Sequence, residues 1–329
     1  MRAVVIQDHE NRDHVGIVDV DDPAPGENEI IVDVKACGIN FTDLLSLEGK
    51  YQNNPPPPFT PGKDAAGTVA RLGSSVTSHA VGDRVIAHVN HGAMAEKVSC
   101  HEALACTLPD KVGFDDAAAM GLAYLTGYFA LTVRGMLQQG DVVLVNGASG
   151  GVGLATVRLA KSLGAKTVLG GLTTPEKADA IIAAGADGII DLTANELKDS
   201  LRTQVGSVTG GHGVDLAVDL VGGEVFDATL RAIANEGRVV VTGFTSGSIP
   251  SVRTNYLLLK NISVVGMTFA AYMRTRSPEI ARVQAAIYDL LLDGKIDPNI
   301  MERLPFERFM DGIKLLEDRK IVGKSVLLI

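Results

Sequence analysis

The sequence predicts an α/β chain in which a doubly wound parallel sheet interrupts a second, β-rich domain. Three observations carry this. The chain has 329 residues, which at roughly 150 residues per domain makes about two domains. Its character changes near residue 115, from short strands with dense Gly and Pro punctuation to strands and helices in alternation. The last β-like run, Ser325 to Leu328, comes after two helical patterns and beyond the point where that alternation breaks, so it is expected to return to the first domain.

Ala3-Val4-Val5-Ile6 and the run Glu29 to Val34 are rich in β-formers. Pro23, Pro25-Gly26, Gly62, Gly67, Gly73 and Gly82-Asp83 lie between and beyond these runs as turn signals, giving an irregular, largely antiparallel β region. The stretch Asn53 to Pro58 ends in four prolines and reads as a stiff loop rim. Ala117 to Val133 runs 17 residues without a formal charge. That is just short of a membrane span, and Gly121, Tyr124, Thr126, Gly127 and Tyr128 sit poorly in lipid, so a buried helix is expected. The alternation then runs Val142 to Asn146 (strand), Gly151 to Leu163 (helix), Thr167 to Leu169 (strand), Pro175 to Ala184 (helix), Gly188 to Ile190 (strand) and Ala194 to Val205 (helix). It continues with a strand at Val214 to Val218, a helix near Glu224 to Ala234 and a strand at Arg238 to Gly243, which is the pattern of parallel strands with crossover helices. Beyond about residue 265 come helices near Pro278 to Asp293 and Phe306 to Asp318.

Composition excludes several functions. With 30 Lys and Arg against 39 Asp and Glu the net charge is −9, so no basic field exists to neutralise nucleic-acid phosphates or coat an anionic membrane. Hydrophobic residues at 46% and charged residues at 21% exclude a disordered chain. Cys37, Cys100 and Cys106 are an odd, sparse set. They point to a reducing, cytoplasmic compartment, and the four apolar residues after Met1-Arg2 fall short of a secretory segment.

The strongest local signal is Val142-Val143-Leu144-Val145-Asn146-Gly147-Ala148-Ser149-Gly150-Gly151-Val152-Gly153. A buried strand enters a glycine-rich turn and opens a helix, whose free N–H groups and dipole favour a pyrophosphate. The same stretch satisfies G-x-S-x-G, the nucleophile elbow of hydrolases. That reading needs a downstream acid and histidine, and the one histidine downstream is His212, in a Gly-rich turn before a strand. An acid at the end of the second strand would bind a ribose 2′-hydroxyl and mark NAD. Here Leu169-Gly170-Gly171-Leu172-Thr173-Thr174 has no carboxylate before Glu176, its glycines leave room for a ligand without negative charge, and Lys177 comes next, which favours a 2′-phosphate and hence NADP. From spacing alone Lys177 reads equally well as a solvated helix lysine.

Taken together, Cys37-Gly38-Ile39-Asn40-Phe41-Thr42-Asp43, Gly49-Lys50-Tyr51, Phe59-Thr60-Pro61-Gly62-Lys63-Asp64-Ala65-Ala66-Gly67-Thr68-Val69, Val81-Gly82-Asp83-Arg84-Val85, the glycine turn and Gly323-Lys324-Ser325-Val326 resemble the medium-chain dehydrogenase/reductase superfamily. Within it the likeness is to the zinc-independent quinone oxidoreductases, the ζ-crystallin-like NADPH:quinone reductases, over nearly the full length. The resemblance implies a GroES-like β domain over 1–115 and 266–329, a Rossmann domain over 116–265, and a homodimer joined near Asn261 to Val265. In the zinc-dependent branch a cysteine ligand stands at the position of Asn40, and a His-Glu pair where this chain has Lys63-Asp64. An amide and an ammonium do not replace a thiolate and an imidazole, and three cysteines cannot build the four-cysteine structural zinc lobe. His88, His91, Cys100 and His101 are the other conceivable metal group, read more simply as scattered polar positions.

Without a Lewis acid, simple ketones become poor substrates, while conjugated acceptors give delocalised anions and remain feasible. The expected reaction is therefore hydride transfer from NADPH to a quinone. The alternatives are an α,β-unsaturated carbonyl or enoyl thioester as acceptor, or a crystallin-like NADPH-binding protein without turnover. The resemblance assigns Ser149, Gly150, Gly151, Val152 and Gly153 to the pyrophosphate turn and Lys177 to the 2′-phosphate. It assigns Thr242, Gly243, Phe244 and Thr245 to a cofactor loop, Met267, Thr268 and Phe269 to the nicotinamide border, and Thr126 to its ribose or amide. Asn40 and Tyr51 line the active site, and Asp43 reads as a helix-start carboxylate. Two departures stand against the family pattern: Leu192 where an aromatic or histidine is common beside the 2′-phosphate, and a Gly170-Gly171-Leu172 segment longer than the pattern by one residue.

Overall fold

The computed structural model describes residues 1–329, and the chain divides into two compact units. The first comprises Met1–Leu125, Phe269–Gly294 and Pro298–Ile329; the second comprises Thr126–Thr268 with Lys295–Asp297. No helix is long and apolar enough to cross a membrane.

In the first unit β1 (Arg2–Ile6) and β2 (Val15–Asp19) form an antiparallel pair. β3 (Glu29–Ile39), β4 (Asp64–Leu72), β5 (Arg84–His88), β6 (Lys97–His101) and β7 (Ala105–Thr107) form the antiparallel part of the main sheet. β3 is its spine: it pairs with β4 along most of its length and with β6 through Glu29–Asp33. Its side chains Ile30, Val32 and Val34 are buried on one face, with Val69, Val85, Ala87 and Val98 from neighbouring strands. The helix α1 (Phe41–Leu47) succeeds β3 directly and packs Leu44 and Leu47 into the same core.

The uncharged run near residue 120 is not one helix. It divides into α2 (Phe114–Ala119), α3 (Leu122–Tyr128) and a wide π turn over Phe129–Arg134. The break has a local cause: the Asp64 carboxylate accepts the Leu122 N–H at 2.8 Å and opens a new helix there. A Cβ on Gly121 would lie 2.4 Å from the same carboxylate. Only glycine admits that approach.

The second unit is a six-stranded parallel sheet. Its strands are β8 (Val142–Asn146), β9 (Thr167–Leu172), β10 (Gly188–Asp191), β11 (Val214–Asp219), β12 (Ile233–Val241) and β13 (Ser263–Gly266), in the spatial order β10-β9-β8-β11-β12-β13. This is the doubly wound order, with its switch point between β8 and β11, where the direction of winding reverses. The crossovers are α4 (Gly151–Ser162), α5 (Ala178–Ala183), α6 (Leu197–Thr209), α7 (Gly223–Ala232) and α8 (Thr254–Lys260). β8 is buried at every position, as a central parallel strand covered on both faces must be. Leu144, Leu169, Ile190, Val205, Ala217, Phe226 and Val239 share its core. Thus the α/β doubly wound fold expected from the sequence is present.

The chain then re-enters the first unit through α9 (Phe269–Arg274), α10 (Glu279–Leu292), β14 (Ile300–Pro305), α11 (Phe309–Glu317) and β15 (Lys324–Leu328). β15 pairs antiparallel with β3, so the last strand returns to the β-rich unit as the sequence predicts. β14 is not legible in the sequence. It lies parallel beside β15 at the sheet edge, where its mixed Ile-Met-Glu-Arg-Leu-Pro pattern and terminal proline are tolerated.

Candidate active site

In the second unit the glycine turn lies at the carboxyl end of β8, at the switch point. Gly147 takes a positive φ of 76°, and the Gly147 and Ala148 N–H groups both meet Gly171 O at 3.0 Å, tying the turn to β9. Gly150 caps α4 in an extended conformation. The N–H groups of Gly151, Val152 and Gly153 then fall in the first helical turn, where no intrahelical carbonyl reaches them. A Cβ at Gly153 would stand 2.1 Å from Gly147 O, so glycine is required for the helix to seat on the turn. Ser149 sits on the partly exposed rim of this cradle.

Behind the turn is a buried polar knot. Asn146, fully buried, donates to Asp219 Oδ1 at 3.2 Å on the neighbouring β11 and to Thr229 Oγ1 at 2.8 Å on α7. Asp219 also accepts the Val221 and Gly222 N–H groups, and burial raises its pKa against these bonds. Its backbone carbonyl receives the Thr242 N–H at 2.9 Å, which pins the loop Thr242–Thr245 over the same end of the sheet. Asn146 Oδ1 and Thr242 Oγ1 are buried there with no protein partner. Unmet polar atoms beside a free helix N-terminus fit a dinucleotide. Phe244 and Thr245 are exposed on that loop, and Lys177 lies after β9, its pKa lowered by burial.

One expectation is revised. Gly170 and Gly171 are residues of β9 itself, and their missing side chains are demanded by the protein: a Cβ would lie 2.4 Å from Ile181 Cγ2 at the first and 2.9 Å from Asn146 Oδ1 at the second. They do not open space for a ligand. The segment Met267 to Phe269 divides, because Met267 N–H bonds Val241 O at 2.9 Å with Thr268 next to it in the second unit, while Phe269 belongs to the first and sets its ring edge on His88 at 5.7 Å. Thr126, buried, is the first residue of the second unit.

In the first unit the residues of the metal-like positions form one cluster. Asp64 and His88 meet across β4 and β5, with His88 Nδ1 at 3.3 Å from Asp64 Oδ1, and Asp64 Oδ2 accepts from Asn40 Nδ2 at 3.0 Å. Lys324, buried on β15, donates to Asn40 Oδ1 and to Ile39 O, each at 2.6 Å. Asn40 gives its other amide proton to Gly38 O at 3.1 Å. Both amide N–H groups of Asn40 are thus used inside the protein, and the side chain ties β3, β4 and β15 together. Asp43, fully buried, accepts the Asn40 N–H at 2.8 Å and the Gly62 N–H at 3.2 Å, the helix-start role expected of it.

Burial dominates the electrostatics here, raising the Asp43 pKa and lowering those of Lys63 and Lys324. Burial also opposes charge on His88, yet its interactions with Asp64 and Cys106 together outweigh this and carry the imidazole up to about 9. Asp64 moves the other way: burial pushes its pKa up, but His88, Lys324 and Asn40 hold it below the ordinary carboxylate range. Lys63 donates to Asn90 O at 2.5 Å and lies 4.2 Å from the centre of the Tyr51 ring. Tyr51 thus sets its ring face against a cation, with its hydroxyl reached by Asn53 Nδ2 at 3.4 Å. In the sequence Lys63 stands out only by the metal-ligand position it occupies, and Lys324 only as part of the Gly323 to Val326 motif; neither is marked as functional.

These residues do not fit zinc. An amide and two ammonium groups occupy the cluster, and no three His, Cys, Asp or Glu side chains converge on one point anywhere in the chain. Of the other conceivable ligands, His91 faces the Phe59 ring and His101 Nδ1 accepts the Ala103 N–H at 3.1 Å.

Comparison with known proteins agrees with this architecture. Residues 26–145 match the alcohol dehydrogenase GroES-like domain and residues 151–285 match the zinc-binding dehydrogenase family. Quinone oxidoreductase-like protein 2 of Bos taurus is 36% identical over 300 residues, covering 91% of this chain and 85% of its own. The chain belongs to the quinone oxidoreductase family of medium-chain dehydrogenases/reductases. Among solved members of this fold, a mycobacterial protein complexed with NADPH superposes with TM-score 0.91 at 31% identity, each chain covered to 100%. The Escherichia coli quinone oxidoreductase complexed with NADPH gives 0.89 at 29%, again with 100% of both chains covered. The GroES-like and Rossmann assignments of the sequence thus hold.

Proposed function

We propose that the chain is an NADPH-dependent oxidoreductase that reduces a conjugated acceptor, a quinone, without zinc. The observation that carries this is a free helix N-terminus at the switch point of a doubly wound sheet, together with an amide and two ammonium groups where the zinc branch keeps its metal. Two structural relatives complexed with NADPH support the cofactor.

In this reading the turn Ser149 to Gly153 holds the pyrophosphate, Lys177 the 2′-phosphate, and Thr242 to Thr245 the loop side of the cofactor. Met267 to Phe269 and Thr126 border the nicotinamide end. Bound there, the reduced nicotinamide supplies hydride. The protein's part is to orient the acceptor and exclude water, with Tyr51 against the acceptor and Asn40 holding the cluster's geometry. A quinone suits a site without a Lewis acid because the charge that develops on reduction is delocalised. Exposed Leu258 and Leu259 on α8, beside the edge strand β13, support a homodimer formed through that edge.

NADPH oxidation measured against a panel of quinones, enones and enoyl thioesters tests the reading. Turnover of quinones is expected. Preference for enones would move the substrate class, and tight NADPH binding with no acceptor turned over would leave a non-catalytic binding protein.

A further inference from the structure

Two buried lysines stand in the first unit's cluster, and they are not equivalent. Lys324 spends its ammonium on Ile39 O and Asn40 Oδ1, and is internally satisfied. Lys63, only 6% exposed, has one protein acceptor, Asn90 O, and one aromatic face, Tyr51. No carboxylate forms an ion pair with it. An ammonium carries three donors, and burying one with a donor unmet is expensive unless a ligand completes the set. Lys63 is thus a fixed cation with a remaining donor, set beside an aromatic ring, in the sequence position where the zinc branch keeps a ligand of its Lewis acid.

We propose that Lys63 is the oxyanion-stabilising and proton-donating group of this enzyme. This rests on the conjugated-acceptor reading above. The ammonium binds the acceptor's carbonyl oxygen. As the bound cofactor is oxidised and the acceptor gains hydride, the carbonyl electron pair shifts onto oxygen; the new O–H bond forms as an N–H bond of Lys63 breaks. One hydride and this one proton convert a quinone to its hydroquinone, or an enone through its enolate toward the saturated ketone. The neutral amine left behind regains a proton from water. The groups facing Lys63 are Asp43 and Asp64, which favour its charge, and His91, whose own pKa falls through burial and the nearby ammonium. Burial outweighs the two carboxylates and leaves the ammonium more acidic than an ordinary lysine, which suits a donor.

The test uses 4-nitrophenol, whose phenolate is coloured and mimics the hydroquinone monoanion without reacting. On the wild-type protein saturated with NADP⁺, its apparent pKa should fall below that of the free phenol. In K63M, which replaces the cation with an apolar side chain of similar length, that shift should vanish and kcat/KM for the preferred acceptor should drop by about 10²-fold or more. NADPH titration by fluorescence should stay unchanged, showing an intact fold. K63R keeps a charge that does not release its proton, so it should retain the nitrophenolate shift and lose turnover. No shift in the wild type, or the same shift in K63M, overturns the proposal. A wild type that turns over no acceptor yet shows a Lys63-dependent shift rejects the quinone reading while upholding the oxyanion site.

Discussion

Gly153 shows how a single position couples fold to ligand. Replacing a helical glycine by alanine ordinarily stabilises by up to about 1 kcal/mol. Here the new Cβ would meet Gly147 O at 2.1 Å, a backbone atom that cannot rotate away. G153A is therefore expected to lower the thermal midpoint, with an overpacking cost of about 1–3 kcal/mol, and to weaken NADPH because the turn itself must shift. A midpoint equal to or above wild type would refute this. Lys177→Ala should weaken NADPH far more than NADH, as a 2′-phosphate contact requires; equal effects in parallel titrations would reject that role. His88 gives a pH signature. Its folded pKa of about 9 lies above the ordinary 6.5, so its contribution to stability is complete below 6.5 and is lost as pH rises through 9. The difference in urea midpoint between wild type and H88Q should therefore shrink from neutral pH to pH 10. A difference that stayed constant would show that the Asp64–His88 contact does not involve a charged imidazole.

The legibility of each element varies with how local its determining physics is. β8 and its glycine turn are readable to the residue, because a fully buried parallel strand and a helix start both write themselves in consecutive residues. α3 is not, since what starts it is Asp64, distant in sequence. The cluster is half legible for the same reason: Asn40, Lys63 and Asp64 stand out by what they replace, but nothing in the chain announces that Lys324 reaches Asn40 across β15 and β3. β9 puts the point to experiment. Its glycines look like ligand space in the sequence and are packing in the structure, with Gly170 set against Ile181 of α5. G170A should destabilise the wild type and cost less in an I181A background, where the opposing methyl is gone. Additive costs in the double-mutant cycle, read by urea unfolding, would break the assignment.

At the scale of the whole molecule, the second unit's sheet ends at β13, a short strand with one unpaired edge. Unpaired edges attract other strands unless blunted or covered. Beside it α8 presents Leu258 and Leu259 at 78% and 76% exposure, and the loop before it exposes Ile249 at 75%. Scattered single leucines need no explanation, but adjacent ones next to an open edge are the kind of surface that the proposed homodimer would cover. A net charge of −9 sets a modest repulsion between copies, so apolar burial and strand pairing must supply the association. Sedimentation equilibrium should accordingly find a dimer at low micromolar concentration. The variant L258E/L259E should sediment as a monomer with unchanged far-ultraviolet dichroism, because neither side chain belongs to the core of its own unit. A wild type that remains monomeric across the range would show that the edge is tolerated bare. A dimer indifferent to the double substitution would place the interface elsewhere.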